Sequence, residues 1–236
     1  MYNSYDVIFN NISSSELDIN IVSRPEIPSP QPRINTIDIP GANGKQYEID
    51  GYEDIEIAVE FNFITKENLH EKFRICKKWI NNIEDNKLIF SDNTGIFYRV
   101  NFATISSSER IINLIGKFTV VFNCEPFAYE LDGQYEVPII NNSTVFNYGD
   151  LPSKPIIKIK GEGIITININ NKEIKANVGQ NITIDSYLEL SYKEDKTPQN
   201  NNLKGEYPVL NVGENTISYS GGKIEEFIII PNWIIY

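Results

Sequence analysis

The stretch that most constrains the fold is residues 115–129, Ile115-Gly116-Lys117-Phe118-Thr119-Val120-Val121-Phe122-Asn123-Cys124-Glu125-Pro126-Phe127-Ala128-Tyr129. Its first half is a β-branched and aromatic run of near-alternating polarity, the pattern of a strand with one face in a core. Pro126 is expected to stop that strand, because proline has no N–H to donate to a ladder. The chain before this strand then reads as one domain that closes on it. The chain after it passes through a polar, Asn-rich and proline-punctuated bridge into a second set of strands.

The first domain opens with two short strand patterns, at residues 6–9 and 17–22. Pro25, Pro28, Pro30 and Pro32 follow within one short segment, which excludes helix and central strand and reads as a stiff extended arm leaving the domain. Pro40-Gly41-Ala42-Asn43-Gly44 is a turn. It lacks the Lys-Ser/Thr ending and following helix of a phosphate loop, so a hairpin reading wins. Ile55, Ile57, Val59, Phe61 and Phe63 alternate onto one face of the next strand, with Asp54, Glu56 and Glu60 on the other.

Thr65 is positioned to cap a helix, with Glu67 in its first turn. Leu69, Phe73, Cys76, Ile80 and Ile83, with Trp79 alongside, then form a one-sided helical stripe that asparagines close. A strand at residues 87–90, a turn at 91–95, a returning strand at 96–100 and a short strand at 102–105 lead to a serine loop at 106–108.

The second half reads as short strands separated by turns: Gly161-Glu162-Gly163, Asn170-Asn171 and a turn at Gly179. Residues 193–206 form the longest polar loop, expected to project from one end of a β-sandwich. The boundaries expected are an N-terminal domain at 1–140, a linker at 141–155 and a C-terminal sandwich at 156–236. The fold class is mainly β with one α-helix.

Charge and composition narrow the function. A formal net charge of -11 repels phosphate backbones, so specific nucleic-acid binding is not expected, although an acidic wall past which DNA slides fits. No apolar run approaches membrane-spanning length, and residues 1–6 carry no signal-peptide pattern, so a soluble protein made in a cytoplasm is expected. Cys76 and Cys124 lie in helix and strand patterns without metal spacing and read as buried thiols. With His70 as the sole histidine, triads and histidine-rich metal sites lose their support, and neither catalytic, metal nor cofactor-binding residues are assigned.

The order of these parts resembles the distal tail protein of long-tailed phages that infect Gram-positive bacteria, the phage tail component family. In the first half the resemblance rests on Pro40-Gly41-x-x-Gly44, the helix with Trp79, Ile89-Phe90-Ser91-Asp92, and Phe122-Asn123-Cys124-Glu125-Pro126-Phe127. In the second it rests on Asn147-x-Gly149 with Pro155, Ile184-Asp185, the segment from Gly205 through Pro208-Val209-Leu210 to Gly213-Glu214-Asn215, and Ile230-Pro231-Asn232-Trp233.

The resemblance implies a structural virion protein at the tail tip. Its N-terminal belt domains would form a homo-hexameric ring joining the tail tube protein to the baseplate hub or tail-fibre protein. Its C-terminal domain would be a galectin-like or carbohydrate-module-like sandwich. On that reading Arg24, Arg33, Pro40, Gly41, Gly44 and Tyr47, with the exposed side of the helix, are the expected ring contacts. A second reading is a carbohydrate-binding module gripping cell-wall sugar through Tyr207 or Trp233. An enzyme using paired acids among Glu53, Asp54 and Glu56 is the third reading, and it lacks a facing partner or a pocket that would raise a pKa.

Overall fold

A computed structural model describes residues 5–41, 43–65, 68–112 and 115–236, with backbone alone over 106–112. The chain divides into two compact units, Met1–Ala128 and Tyr129–Tyr236. The first holds β1 (Val7–Phe9), β2 (Ile12–Ser13), β3 (Asn20–Ile21), β4 (Pro32–Asp38), β5 (Lys45–Tyr52), β6 (Ile55–Ile64), α1 (Leu69–Asn81), β7 (Lys87–Phe90), β8 (Asn93–Ile112) and nearly all of β9 (Ile115–Glu130). Its main sheet runs β2-β1-β7-β8-β9-β6-β3, and β4 and β5 form a separate two-stranded ribbon. The chain is mostly strand, and α1 is the one α-helix among the described residues.

β6 and β9 pair over their whole common length, from Ile55 opposite Cys124 to Ile64 opposite Ile115. Alternation does the rest: Ile57, Val59, Phe61 and Phe63 from β6 and Phe118, Val120 and Phe122 from β9 are fully buried beneath α1. Phe61 stacks on Phe118 at 5.2 Å and meets Trp79 edge-on at 5.8 Å, and the indole N–H donates to the Phe9 carbonyl at 2.9 Å. Gly116 sits opposite Phe63 because any side chain there would enter the Phe63 ring.

The helix begins later than its sequence suggests. Asn68 is the cap, accepting from the His70 amide at 2.9 Å; Thr65 is buried before it, and Glu67 lies outside the described residues. Cys76 and Cys124 are buried free thiols, pushed up to about 11 and about 12 by burial.

Three other expectations change. β9 does not stop at Pro126 but continues to Glu130. The last pair with β6 is at Cys124, so Pro126 costs no ladder bond on that side. The serines 106–108 are strand within β8 rather than loop. Of the strand expected at 17–22 only Asn20–Ile21 is strand, since Leu17 ends a 3-10 turn that begins at Ser15.

That turn is tied down by Asp6. Its carboxylate accepts from the Ser13, Ser14 and Ser15 hydroxyls and from the Val7 and Ser15 amides. Burial alone would push its pKa up, but the donated hydrogen bonds outweigh burial and hold it below the ordinary value. A depressed folded pKa stabilises above the unfolded value of about 3.9, and that stability is lost as pH falls through the folded pKa. The stability gap between wild type and Asp6→Asn is therefore expected to be full at neutral pH and to shrink below about pH 4, as read by urea melts across pH.

The second unit contains β10 (Val137–Pro138), β11 (Ser143–Asn147), β12 (Ile156–Ile169), β13 (Lys172–Asp185), β14 (Leu190–Tyr192), β15 (Leu203–Lys204), β16 (Gly213–Ser220), β17 (Lys223–Ile230) and β18 (Ile234–Ile235). Its boundary precedes the expected one at 140. The segment expected as linker, 141–155, is built in: β11 pairs with β16 from Ser143–Ile217 to Asn147–Gly213, and Ser153 bridges Leu210.

β12 and β13 pair without interruption from Ile156–Asp185 to Ile169–Lys172, reversing at Asn170-Asn171 with φ of 52° and 66°, as the sequence suggested. Gly161-Glu162-Gly163 and Gly179 do not reverse the chain. They face each other across the ladder; β12 pairs with β17 from Ile156 to Glu162, with a register shift at Lys160/Gly161, and with β16 from Thr166 to Ile169. With Gly221-Gly222 between β16 and β17, they form one transverse crease across three long strands. Ile157 and Ile159 below the crease then share one core with Ile165, Ile167 and Ile169 above it.

Buried asparagines finish the unit. Asn147 donates to the Leu151 and Leu210 carbonyls and accepts from the Gly149 amide; Asn215 donates to Asn211 and Gly213 and accepts from the Asn211 amide. The loop expected to project is instead stitched down, by β15 on β13 and by Asn200 accepting from the Ser191 amide at 2.6 Å.

Candidate assembly interface

The proline segment does not leave the domain. At one end Val22 N–H donates to the Glu60 carbonyl, and at the other Glu53 N–H donates to Gln31, so the segment spans the edge of β6 between two fixed points. Its prolines remove donors from an edge that would otherwise invite pairing. What does stand apart is the β4–β5 ribbon. Register places Ile34 opposite Ile49 and Thr36 opposite Tyr47, on one face.

That face is uncovered, with Ile34 at 54%, Ile49 at 60% and Tyr47 at 66% exposure. A two-stranded ribbon is marginal in water on its own, and contiguous exposed apolar side chains mark contact surfaces. Gly41 and Gly44 take φ of 83° and 90° at the turn, beside exposed Pro40. Four of the six expected ring contacts, Pro40, Gly41, Gly44 and Tyr47, thus lie along the distal part of this ribbon.

The two arginines serve their own unit. Arg33 Nε donates to the Asp50 carbonyl at 2.9 Å, and its guanidinium lies over Gly51, whose φ of 81° turns β5 toward β6. This clasp orients the ribbon at its base. Arg24 sits 5.2 Å over the Tyr5 ring and 3.8 Å from Asp92. Burial first, then the Asp92 charge, pushes the Tyr5 hydroxyl up to about 12.

The remaining candidates are dispersed. Glu53, Asp54 and Glu56 are exposed, the first two just before β6 and the third within it, with Asp54 accepting from Asn101 at 3.0 Å. No group of three or more metal-ligating side chains occurs among the described residues, and no described helix is long and apolar enough to cross a membrane. Trp233 packs edge-on against Tyr148 at 5.3 Å, and Tyr148 against Phe146 at 4.8 Å, whereas Tyr207 lines a separate shallow cavity with Lys154, Ser186 and Glu189.

Residues 12–124, nearly the whole first unit, match the family described as the phage tail protein RIFT-related domain. The match places this first unit with a phage tail protein domain, in line with the tail-protein resemblance of its sequence. Among solved structures the chain is similar to the SPP1 Dit (gp 19.1) protein, described as a paradigm of the hub adsorption apparatus in phages infecting Gram-positive hosts. That likeness has 15% identity and a TM-score of 0.62 and covers 95% of this chain and 97% of that one. It is also similar to a chain of the phage P2 baseplate in its activated conformation with Ca, at 11% identity and a TM-score of 0.52, over 97% and 98% of the two chains. A chain of the same baseplate with Sr gives 10% identity and a TM-score of 0.52 over 96% and 97%. No curated protein matches significantly.

Proposed function

We propose that this chain is a non-enzymatic structural protein of a phage tail tip. Its N-terminal unit joins copies of itself into a closed six-membered ring between the tail tube protein and the baseplate hub or fibre protein. The observation that carries this reading is the β4–β5 ribbon with Ile34, Tyr47 and Ile49 uncovered on one face. Ring closure needs a heterologous contact, in which one patch meets a different patch on the next copy, and a projecting ribbon supplies the first half. The acidic balance of -11 suits a wall that DNA passes without sticking.

The test is native mass by light scattering with negative-stain images of the same fraction. Wild type is expected as a hollow ring of about six times the 27.0 kDa chain mass. Tyr47→Glu combined with Ile49→Lys is expected to give a monomer with an unchanged melting temperature, since both side chains are solvent-exposed in the single chain. Arg33→Ala is expected to weaken the ring by loosening the ribbon's base. A ring indifferent to the double substitution defeats the assignment of this surface.

A further inference from the structure

The chain contains one Asn-Gly pair, Asn43-Gly44, and the fold sets it at the turn of the β4–β5 ribbon. Asparagine is a thermolabile residue, and most so before glycine, which has no Cβ to hold its own amide nitrogen away from the asparagine side chain. The last ladder pair of the ribbon is Asp38 with Lys45, so both residues lie outside it. Asn43 and Gly44 are exposed, and neither the Asn43 carboxamide nor the Gly44 amide makes a hydrogen bond among the described residues. A methyl group built on Gly44 meets nothing within 4 Å, so the space through which the carboxamide must swing is open.

Other asparagines in turns are held. Asn10 donates its carboxamide to the Trp79 and Asn82 carbonyls, and the Asn170 carboxamide donates to Asn215 at 2.6 Å and accepts from the Thr216 amide at 3.0 Å. Asn142 precedes a small residue, but Ser143 opens β11 and is fixed in its ladder opposite Ile217. Only at the ribbon's turn do an unengaged carboxamide and an unhindered following amide coincide among these.

The reaction this permits needs water and nothing else. Hydroxide takes the proton of the Gly44 amide, and the nitrogen attacks Cγ of Asn43, an intramolecular closure favoured by proximity. The bond from Cγ to the carboxamide nitrogen breaks, ammonia leaves, and a cyclic succinimide remains. Water then opens the ring. Cleavage at Cγ gives aspartate, and cleavage at the main-chain carbonyl gives isoaspartate, in which the backbone runs through the former side chain. One water enters, one ammonia leaves, and nothing is oxidised or reduced. Either product puts a carboxylate between Gly41 and Tyr47, and isoaspartate also lengthens the turn by one methylene.

We infer that Asn43 is a self-modification site, which deamidates through a succinimide in the free chain and is shielded once the ribbon is seated on a neighbouring copy. Chains left unassembled thereby acquire a charge on their contact surface. The shielding rests on the ring reading above, and the chemistry does not.

Wild type and the monomer expected of Tyr47→Glu/Ile49→Lys are aged in mildly alkaline buffer. Tryptic peptides are then followed by mass spectrometry, with isoaspartyl methyltransferase labelling as the readout of isoaspartate. The peptide over residues 34–45 is expected to convert before any other, with isoaspartate exceeding aspartate. Asn43→Gln should abolish that conversion, Gly44→Ala should slow it about tenfold, and the ring fraction should convert more slowly than the monomer. An intact Asn43 after other asparagines have converted, or aspartate without isoaspartate, overturns the succinimide site. Equal conversion in ring and monomer overturns the shielding. A wild type that never closes a ring defeats the shielding together with the ring reading, while conversion at Asn43 still decides the chemistry.

Discussion

Gly161→Ala is expected to destabilise the C-terminal unit by about 3 kcal/mol, which lowers its melting transition by roughly 10–20 °C. A methyl group built there lies 2.1 Å from the Lys223 carbonyl oxygen, a backbone atom of the neighbouring strand that cannot rotate aside. The register between β12 and β17 already shifts at Lys160/Gly161, where β12 bends and passes from β17 toward β16. Restoring room for the methyl would part the two strands at the crease, on which the shared core of Ile159 and Ile165 depends. Gly179 is the control, since nothing lies within 4 Å of a methyl built there and its substitution should cost little. Calorimetric scans of both variants decide the matter. Equal, small shifts would mean that the crease does not need its glycine.

Arg99→Met is expected to cost the N-terminal unit about 3–5 kcal/mol. Arg99 Nη1 lies 3.4 Å from Glu125 Oε1, with the two side chains only 14% and 11% exposed. Charges at that depth have lost most of their hydration, so removing the guanidinium takes away the counter-charge that makes burial of the carboxylate tolerable. The double variant Arg99→Met/Glu125→Leu should recover most of the loss, because apolar replacement of a whole buried pair is often near neutral. Denaturant melts of the two variants test this. A single variant as stable as wild type would show that the pair is solvated in solution.

Much of this structure is legible in the sequence because it depends on neighbours close along the chain. Alternation in residues 55–63 and 115–124 assigns the core faces of β6 and β9, and the spacing of Leu69, Cys76 and Ile80 assigns the buried side of α1. Asn170-Asn171 is a reversal in both readings, since two adjacent positive φ angles define a tight hairpin turn. Pro40-Gly41 and Gly44 likewise announce the ribbon's turn, and Tyr47 its exposed face. Arg24 and Arg33 were legible as charges but not as contacts. Each is spent on a group far along the chain or across a bend, Asp92 for one and Asp50 for the other.

The sequence by itself determined which residues alternate into a core, where the one described helix lies, and that the two thiols are buried. It also determined where the backbone needs glycine. Only the tertiary structure decided what those glycines do. Gly161, Gly163 and Gly179 carry the same local signal as a turn, yet long-range pairing of β12 with β13, β16 and β17 makes them a crease. The proline segment is held along β6 and not released, and Pro126 is passed through, for the same reason. Local chemistry limits the angles a residue can adopt, whereas the hydrogen-bond partner that selects among them comes from strands tens of residues away.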